Sequence, residues 1–222
     1  WGLEGGQPAD GSIGIQPEWF YKGTGAILTA HRQSLLVPSY ASDGGEEPEV
    51  AGVYLIDNHH QPLRIGFTTG NEFSDHVMER KNYLYLAPSK LRHCAIGPEL
   101  VIVMEFSDIE GTVKVSRDKK EVWSSVVHTG EKNMAHSLAN LEYHHFKYYD
   151  HRQPGQSHVH FFGADAFSFG NGIQLQTGDE MQVHWNGMGR PLVNPIQIET
   201  GKAEYIKVRP AGSYPSTDPL PK

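Results

Sequence analysis

GGEEPEVAGVYLI (residues 44–56) joins three carboxylates to an apolar run that is typical of a buried β-strand. Side chains alternate between the two faces of a strand, so Glu47 and Glu49 are predicted to point to the same face. Two carboxylates beside a buried strand repel each other unless a cation lies between them, and Mg²⁺, Mn²⁺ or Ca²⁺ prefers such oxygen ligands. The alternative for this segment alone is a solvated acidic loop that contains Glu46, Glu47 and Glu49.

A second acidic segment, GNEFSDHVMERKNY (residues 70–83), is predicted to contain a short helix over about residues 72–83. In a helix that begins near Glu72, the side chains of Glu72, His76 and Glu79 would share one face. That face would bring two further carboxylates and an imidazole to the site, and the alternative is an exposed charged face. Lys90, in the loop that follows, indicates by itself only a solvent-facing charge.

The rest of the chain predicts a mainly β, α+β fold: one β-rich domain over residues 1–210 and a Pro- and Ser-rich tail over residues 211–222. A second helix is predicted over residues 134–149, with Asn133 as its N-cap. Strands are predicted at residues 26–28, 50–56, 63–68, 100–105, 112–115, 121–125, 158–162, 180–185 and 203–208.

The composition excludes several classes of function. With 19 Lys and Arg against 26 Asp and Glu, the net charge of −7 argues against a nucleic-acid partner. No apolar run approaches the ~18 residues of a membrane-spanning helix. The single cysteine, Cys94, excludes an internal disulfide and favours a reducing, cytoplasmic compartment. The first residues show no signal-peptide pattern. Because the chain begins at Trp1 and not at a methionine, we expect an upstream segment to precede it.

Taken in order, several motifs resemble the catalytic domain of the fumarylacetoacetate hydrolase superfamily. The resemblance runs from about residue 16 to residue 208, nearly the whole chain. Within the superfamily, PEWFYKG, GNEFSDH and NLEYHHFKY resemble a branch of sugar-acid catabolism that includes 2-keto-3-deoxy-pentonate dehydratases. The matching motifs are Glu47-Pro48-Glu49-Val50-Ala51, Asn71-Glu72-Phe73-Ser74, Ser89-Lys90, Gly97-Pro98, residues 129–134, Gly163 and GRPLVNP at residues 189–195.

The resemblance implies a set of site residues and a cofactor. The metal ligands would be Glu47, Glu49 and Glu72, the cofactor Mg²⁺ with Mn²⁺ or Ca²⁺ as alternatives, and Lys90 the site lysine. The partner would be a small-molecule 2-keto acid, and the assembly a homodimer. Four positions depart from the family pattern: Glu72 stands for an Asp, His76 for an Arg, Glu79 for a Gln and Ala164 for a Thr. The residues expected to bind substrate are Lys22, Gly163 and Ala164.

The activity that the resemblance implies is dehydration of a 2-keto-3-deoxy sugar acid through a metal-stabilised enolate. Three carboxylates and one divalent ion leave a charge of −1, which should raise the pKa of Lys90, so we expect a permanent cation that holds substrate oxygens. His76, oriented by Glu79, is predicted to transfer the proton.

Three alternatives to this interpretation remain open. The same site would suit a hydrolase that cleaves a C–C bond in an acylpyruvate or a 2,4-diketo-3-deoxy sugar acid. A protein of another class, a non-catalytic binder of sugar acids that keeps the metal as a clamp, would also need it. His158-Val159-His160 has the H-x-H spacing of cupin metal sites, but no Glu follows at the spacing that such sites require.

Overall fold

Two five-stranded sheets form the framework of the computed structural model, which describes residues 5–102 and 105–211. The first sheet contains, in spatial order, β1 (Leu28–Thr29), β5 (Cys94–Ile96), β4 (Pro62–Asn71), β3 (Pro48–Ile56) and β8 (Ser157–Phe161). The second contains β2 (Leu35–Val37), β10 (Leu192–Ile198), β9 (Glu180–Trp185), β6 (Ile109–Arg117) and β7 (Lys120–Thr129). This arrangement confirms the predicted β-rich fold class.

The main hydrophobic core contains residues of both sheets. Val50 and Phe67 of the first sheet pack with Val113, Val183 and Trp185 of the second. Each such fully buried side chain contributes about 1.5–3 kcal/mol to the free energy of unfolding. The indole Nε1 of Trp185 donates a hydrogen bond of 2.8 Å to the carbonyl oxygen of Glu49. The core therefore fixes the backbone at one of the predicted metal ligands.

Three short helices lie between the strands: α1 (His76–Lys81), α2 (Leu86–Ser89) and α3 (Leu138–Phe146). Asp75 caps α1 by accepting a hydrogen bond from the backbone N–H of Met78, and Ser137 caps α3 by accepting one from Asn140. In the described part of the chain, no helix combines the length and the apolar character that crossing a bilayer requires.

Both predicted helices are shorter than expected. The predicted N-cap of α3, Asn133, instead donates from its side chain to Asp108 and to the carbonyl of Thr129, and the helix starts after Ser137. The helix predicted from Glu72 starts at His76, because β4 continues in antiparallel pairing with β3 as far as Asn71. Glu72 therefore does not share a helix with His76 and Glu79, and that part of the prediction was wrong.

Three of the predicted strands are wrong or only partly formed. Residues 26–28 are mostly a 3₁₀ turn, followed by the two-residue β1. In 100–105, of which residues 103–104 lie outside the described structure, Val101 pairs alone with Phe67. Residues 203–208 have no regular structure and are exposed, Val208 by 89%. Alternation without a neighbouring strand to supply hydrogen bonds does not make a strand. Of the predicted tail, residues 212–222 lie outside the described structure.

Candidate metal centre and active-site cavity

Strand pairing brings three carboxylates together at one end of β3 and β4. Glu49 lies opposite Gly70 in the ladder, and just beyond it the backbone N–H of Glu72 donates to the carbonyl oxygen of Glu47 at 3.0 Å. One carboxylate oxygen from each of Glu47, Glu49 and Glu72 lies within 4.8 Å of the others. The predicted convergence of these three side chains is present, and it arises from the sheet rather than from a helix face.

The electrostatics of this trio fit a bound divalent cation. Burial, reinforced by the charges of Glu72 and Glu47, raises the pKa of Glu49 well above its ordinary value. Burial and the charge of Glu47 raise the pKa of Glu72 to about 7. These shifts arise because the carboxylates are close together and largely removed from water, so that their charges repel each other. A cation among them would relieve that repulsion. Since all the donor atoms are carboxylate oxygens, the set suits a hard ion.

Lys90 is a buried cation in contact with the same carboxylates. Its Nζ donates to both oxygens of Glu47, at 2.6 and 2.8 Å, and lies 3.7 Å from Glu72 and 3.8 Å from Glu79. Burial opposes its charge, but Glu47 and Glu72 more than compensate and raise the pKa of Lys90 above its ordinary value. The pKa of Lys90 is thus raised, as expected, and the contact of this cation with substrate oxygens stays a prediction.

Lys22 is a second buried cation, and its ammonium group ties two segments of the site together. Its Nζ donates to the carbonyl oxygens of Phe73 at 2.7 Å and Lys90 at 2.8 Å. These are the backbones next to Glu72 and of the site lysine itself. Burial lowers the pKa of Lys22. Its side chain lines the cavity. Two of the three N–H donors of the ammonium group bind these carbonyls, so the predicted contact with substrate would use the third.

The predicted pairing of His76 with Glu79 is not formed. His76 is buried, with 2% exposure, and its Nε2 bonds to Oε1 of Glu47 at 3.0 Å. Its side chain is not among the described residues that line the cavity, whereas that of Glu79 is. Glu79 Oε2 is buried without a hydrogen-bond partner and lies near Lys90. Among the described residues, His76 thus contacts Glu47 and Glu79 lies near Lys90, and no hydrogen bond or ion pair joins the two members of the predicted proton-transfer pair.

A cavity of about 770 Å³ opens onto the carboxylates. It lies between β8, at the edge of the first sheet, and the segment 17–25, and the predicted Gly163 and Ala164 line it. Gly163 has a φ of 105°, a conformation that favours glycine. Its backbone N–H donates to Oε2 of Glu49 at 2.6 Å. Gly163 therefore holds a proposed metal ligand, a role that the sequence did not indicate.

Several buried residues near the site were not predicted from sequence. Glu46 is fully buried and accepts hydrogen bonds from both the backbone N–H and the hydroxyl of Ser168. Phe167, beside it, lines the cavity. The alternation of side chains along a strand could have indicated Glu46, because it places this side chain on the face opposite Glu47 and Glu49. Ser168 and Phe167 carry no local motif that would have identified them.

The histidines of the H-x-H motif belong to a separate cluster. Ring centroids of His158 and His160 lie 5.1 and 4.8 Å from that of His145, and His151 lies 4.8 Å from it. Among the described residues, only the three carboxylates bring ligand atoms within one coordination sphere. The alternative metal site at His158 and His160 is therefore not supported.

Comparisons with known proteins find relatives that are similar to part of this chain. No family model matches the chain. It is 30% identical over 122 residues to a 2-dehydro-3-deoxy-D-arabinonate dehydratase of Saccharolobus solfataricus, covering 53% of this chain and 40% of that protein. It is 28% identical over 121 residues to a probable 2-keto-3-deoxyxylonate dehydratase of Haloferax volcanii, covering 52% and 40%. The chain thus spans about 40% of the length of the curated relatives it matches.

Solved structures share the fold. A 2-keto-3-deoxy-D-arabinonate dehydratase complexed with magnesium and 2,5-dioxopentanoate superposes with a TM-score of 0.65 at 21% identity, over 78% of this chain and 60% of that one. A 5-carboxymethyl-2-hydroxymuconate delta-isomerase from Mycobacterium smegmatis gives a TM-score of 0.56 at 20% identity, over 78% and 66%. These findings confirm the predicted resemblance to the sugar-acid branch of the fumarylacetoacetate hydrolase superfamily and the fold of its catalytic domain.

Proposed function

We propose that this chain, which resembles the sugar-acid branch of the fumarylacetoacetate hydrolase superfamily, carries the catalytic site of a metal-dependent dehydratase. Its substrate would be a 2-keto-3-deoxy sugar acid. The observation that carries the proposal is the trio of the buried Glu47 and Glu49 with the partly buried Glu72, at the mouth of a cavity that also holds a lysine cation. The two relatives, named as a dehydratase and a probable dehydratase of 2-keto-3-deoxy-pentonates, supply the substrate class.

Glu47, Glu49 and Glu72 would hold the divalent ion, and we propose Mg²⁺ because the neighbouring dehydratase structure contains magnesium. When bound, the ion would polarise the 2-oxo group and make the adjacent C3–H more acidic. Lys90 would bind the oxygens of the substrate carboxylate and remain protonated throughout, since Glu47 and Glu72 stabilise its charge.

Proton transfer belongs to a group that faces the cavity, and we assign it to Glu79 in place of His76. The carboxylate of Glu79 has an oxygen without a hydrogen-bond partner, and it lines the cavity near Lys90. It would take the proton from C3 and return it to the departing C4 hydroxyl. The C–O bond at C4 would break and one water would leave, which gives a C3=C4 double bond. Transfer of a proton from C5 to C3 would then move that double bond to C4=C5, and the resulting enol would tautomerise to an aldehyde at C5, so that no net proton is consumed.

The test is a substrate panel with the purified protein and Mg²⁺. A dehydratase releases an aldehyde product from a 2-keto-3-deoxy-pentonate, detected as its hydrazone by mass spectrometry. Glu49→Gln should abolish the product, whereas His128→Gln, a change at a side chain that is 48% exposed, should retain it. Release of pyruvate from an acylpyruvate alone would assign the chain to the C–C hydrolases. Binding of both acids without turnover would identify a non-catalytic binder.

We further propose that the protein is a homodimer, an assembly that the family resemblance implies. Light scattering on the eluting peak of a size-exclusion column measures the mass directly. The single chain has a mass of 24.7 kDa, so a value near that figure would contradict the proposal.

A further inference from the structure

His76 lies behind Glu47 as seen from the cavity. Its Nε2 lies 3.0 Å from Oε1 of Glu47, the carboxylate whose oxygens also accept the ammonium group of Lys90. A substrate in the cavity would meet Glu47 and Lys90 before it could reach the imidazole, which is 2% exposed. Any effect of His76 on the reaction must therefore pass through Glu47.

The other ring nitrogen of His76 has no route for a proton. Nδ1 is buried and has no hydrogen-bond partner in the part of the chain that the structure describes. It faces Gly45, where an added Cβ would lie 2.5 Å from it. The bond to the ionised Glu47 requires the proton on Nε2. A proton relay needs a second partner on the far nitrogen, and the structure provides a glycine backbone there instead.

The imidazole is held in place by two aromatic rings. Phe167 stacks on it with ring centroids 4.4 Å apart and an interplanar angle of 12°, and Phe169 lies at 5.3 Å. The guanidinium of Arg80 covers Phe169, 4.9 Å from its centroid. Stacking on Phe167, with the tilted ring of Phe169 also in contact, fixes the plane of the imidazole and hence the direction of its N–H.

The loop that carries these rings is itself anchored by the neighbour of Glu47. Glu46 accepts hydrogen bonds from Ser168, 2.6 Å from its backbone nitrogen and 2.9 Å from its hydroxyl oxygen. Ser168 lies between Phe167 and Phe169 in the chain. These contacts connect two neighbouring residues of the chain through the loop: Glu46 holds the loop, the loop holds the ring of His76, and His76 orients Glu47.

From these contacts we infer that His76 is a positioning residue, which orients the carboxylate of Glu47 for the metal ion and carries no proton in the reaction. The inference rests on the proposed function only in taking Glu47 as a metal ligand. Partners that orient metal ligands in this way affect metal affinity by about 10–100-fold when they are removed.

The experiment measures Mn²⁺ affinity by calorimetry without substrate, so it does not depend on the proposed reaction. His76→Phe keeps an aromatic ring between the phenylalanines but removes the donor, and it should weaken Mn²⁺ binding by about 10–100-fold. His76→Gln keeps an N–H near the position of Nε2 and should restore most of the affinity. Phe169→Leu, which changes the stack outside the cavity, should weaken binding less than His76→Phe. His128→Gln serves as the matched control and should bind as the wild type does.

Two results would overturn the inference. One is unchanged Mn²⁺ affinity in a folded His76→Phe or, where that variant fails to fold, His76→Met protein. The other is a His76→Gln protein that binds Mn²⁺ normally but loses turnover at saturating Mn²⁺, as expected of a proton carrier. If the wild type binds Mn²⁺ but turns over no sugar acid, the proposed reaction fails while the inference about His76 stands.

Discussion

Lys22 shows how a single buried charge can join parts of the site that are distant in sequence. Its two hydrogen bonds reach carbonyls 51 and 68 residues away. Lys22→Met keeps most of the apolar stem but removes both hydrogen bonds. The Lys90 carbonyl keeps the backbone N–H of Arg92 at 2.8 Å, whereas no other described donor reaches the Phe73 carbonyl, and one unpaired buried carbonyl costs about 1–3 kcal/mol. We expect the free energy of unfolding to fall by that order, measured by urea denaturation. Lys132→Met, at a side chain that is 68% exposed, should leave it unchanged. Equal stability of the two variants would contradict this account of Lys22.

The sequence predicted which carboxylates form the site better than it predicted which side chains contact them. Glu47 and Glu49 follow from the strand period, and Glu72 and Lys90 from the family resemblance. The direction of His76 could not be predicted, because it depends on which side of Glu47 the loop of Phe167 lies. That loop is about 90 residues further along the chain, and no local periodicity records its position.

At the level of elements, α3 depends on its first hydrogen bond. Ser137 accepts from the backbone N–H of Asn140, and α3 has only nine residues, too few to be stable alone. Ser137→Ala should lower the free energy of unfolding by about 0.5–2 kcal/mol, whereas Ser137→Asp should retain it. Chemical denaturation of the three proteins tests this, and an Asp variant as unstable as the Ala variant would contradict the capping role.

The contact between α3 and β8 predicts a dependence of stability on pH. Burial, followed by the neighbouring imidazoles, lowers the pKa of His145 to about 2 and that of His160 to about 4. Their pKa values in the unfolded chain are about 6.5. The unfolded state therefore binds more protons below that pH, so stability is full above pH 6.5 and falls as the pH drops towards 4.

The size of this effect is set by proton linkage, at most about 1.4 kcal/mol per pH unit for each imidazole. His145→Gln should reduce the slope of unfolding free energy against pH between about 6.5 and 4. The exposed His128→Gln should keep the slope of the wild type. Urea denaturation at a series of pH values measures both, and a His145 variant with an unchanged slope would show that the cluster does not control acid stability.

Element boundaries were predictable only where local pattern and tertiary pairing agree. The segment 180–185 alternates and also has neighbours on both sides, β10 and β6, and it is a strand over the predicted residues. The segment 203–208 was predicted as a strand as well, yet no strand within residues 5–102 and 105–211 pairs with it. Sequence period reports the side-chain faces that a strand would have. It does not report whether another strand is there to accept its hydrogen bonds.

For the molecule as a whole, the carboxylate that favours metal binding also lowers the stability of the metal-free protein. The pKa of Glu72 is raised to about 7 from an ordinary value of 4.5. Between those values the folded state holds more protons than the unfolded state, so the metal-free protein loses stability as the pH rises through that window. A bound divalent ion reverses this penalty, because it favours the ionised carboxylates and binds only the folded state.

Glu72→Gln should separate the two effects, since it removes a buried charge and a proposed ligand with little change in shape. Above pH 7 we expect the metal-free variant to unfold at higher temperature than the metal-free wild type. Mg²⁺ at 100 times its Kd should stabilise the wild type by about 2.7 kcal/mol and leave the variant unchanged. Glu110→Gln, at a side chain that is 59% exposed, should behave as the wild type in both conditions. Thermal melts of the three proteins with Mg²⁺ and with EDTA measure these stabilities, and a Glu72 variant still stabilised by Mg²⁺ would exclude Glu72 as a ligand.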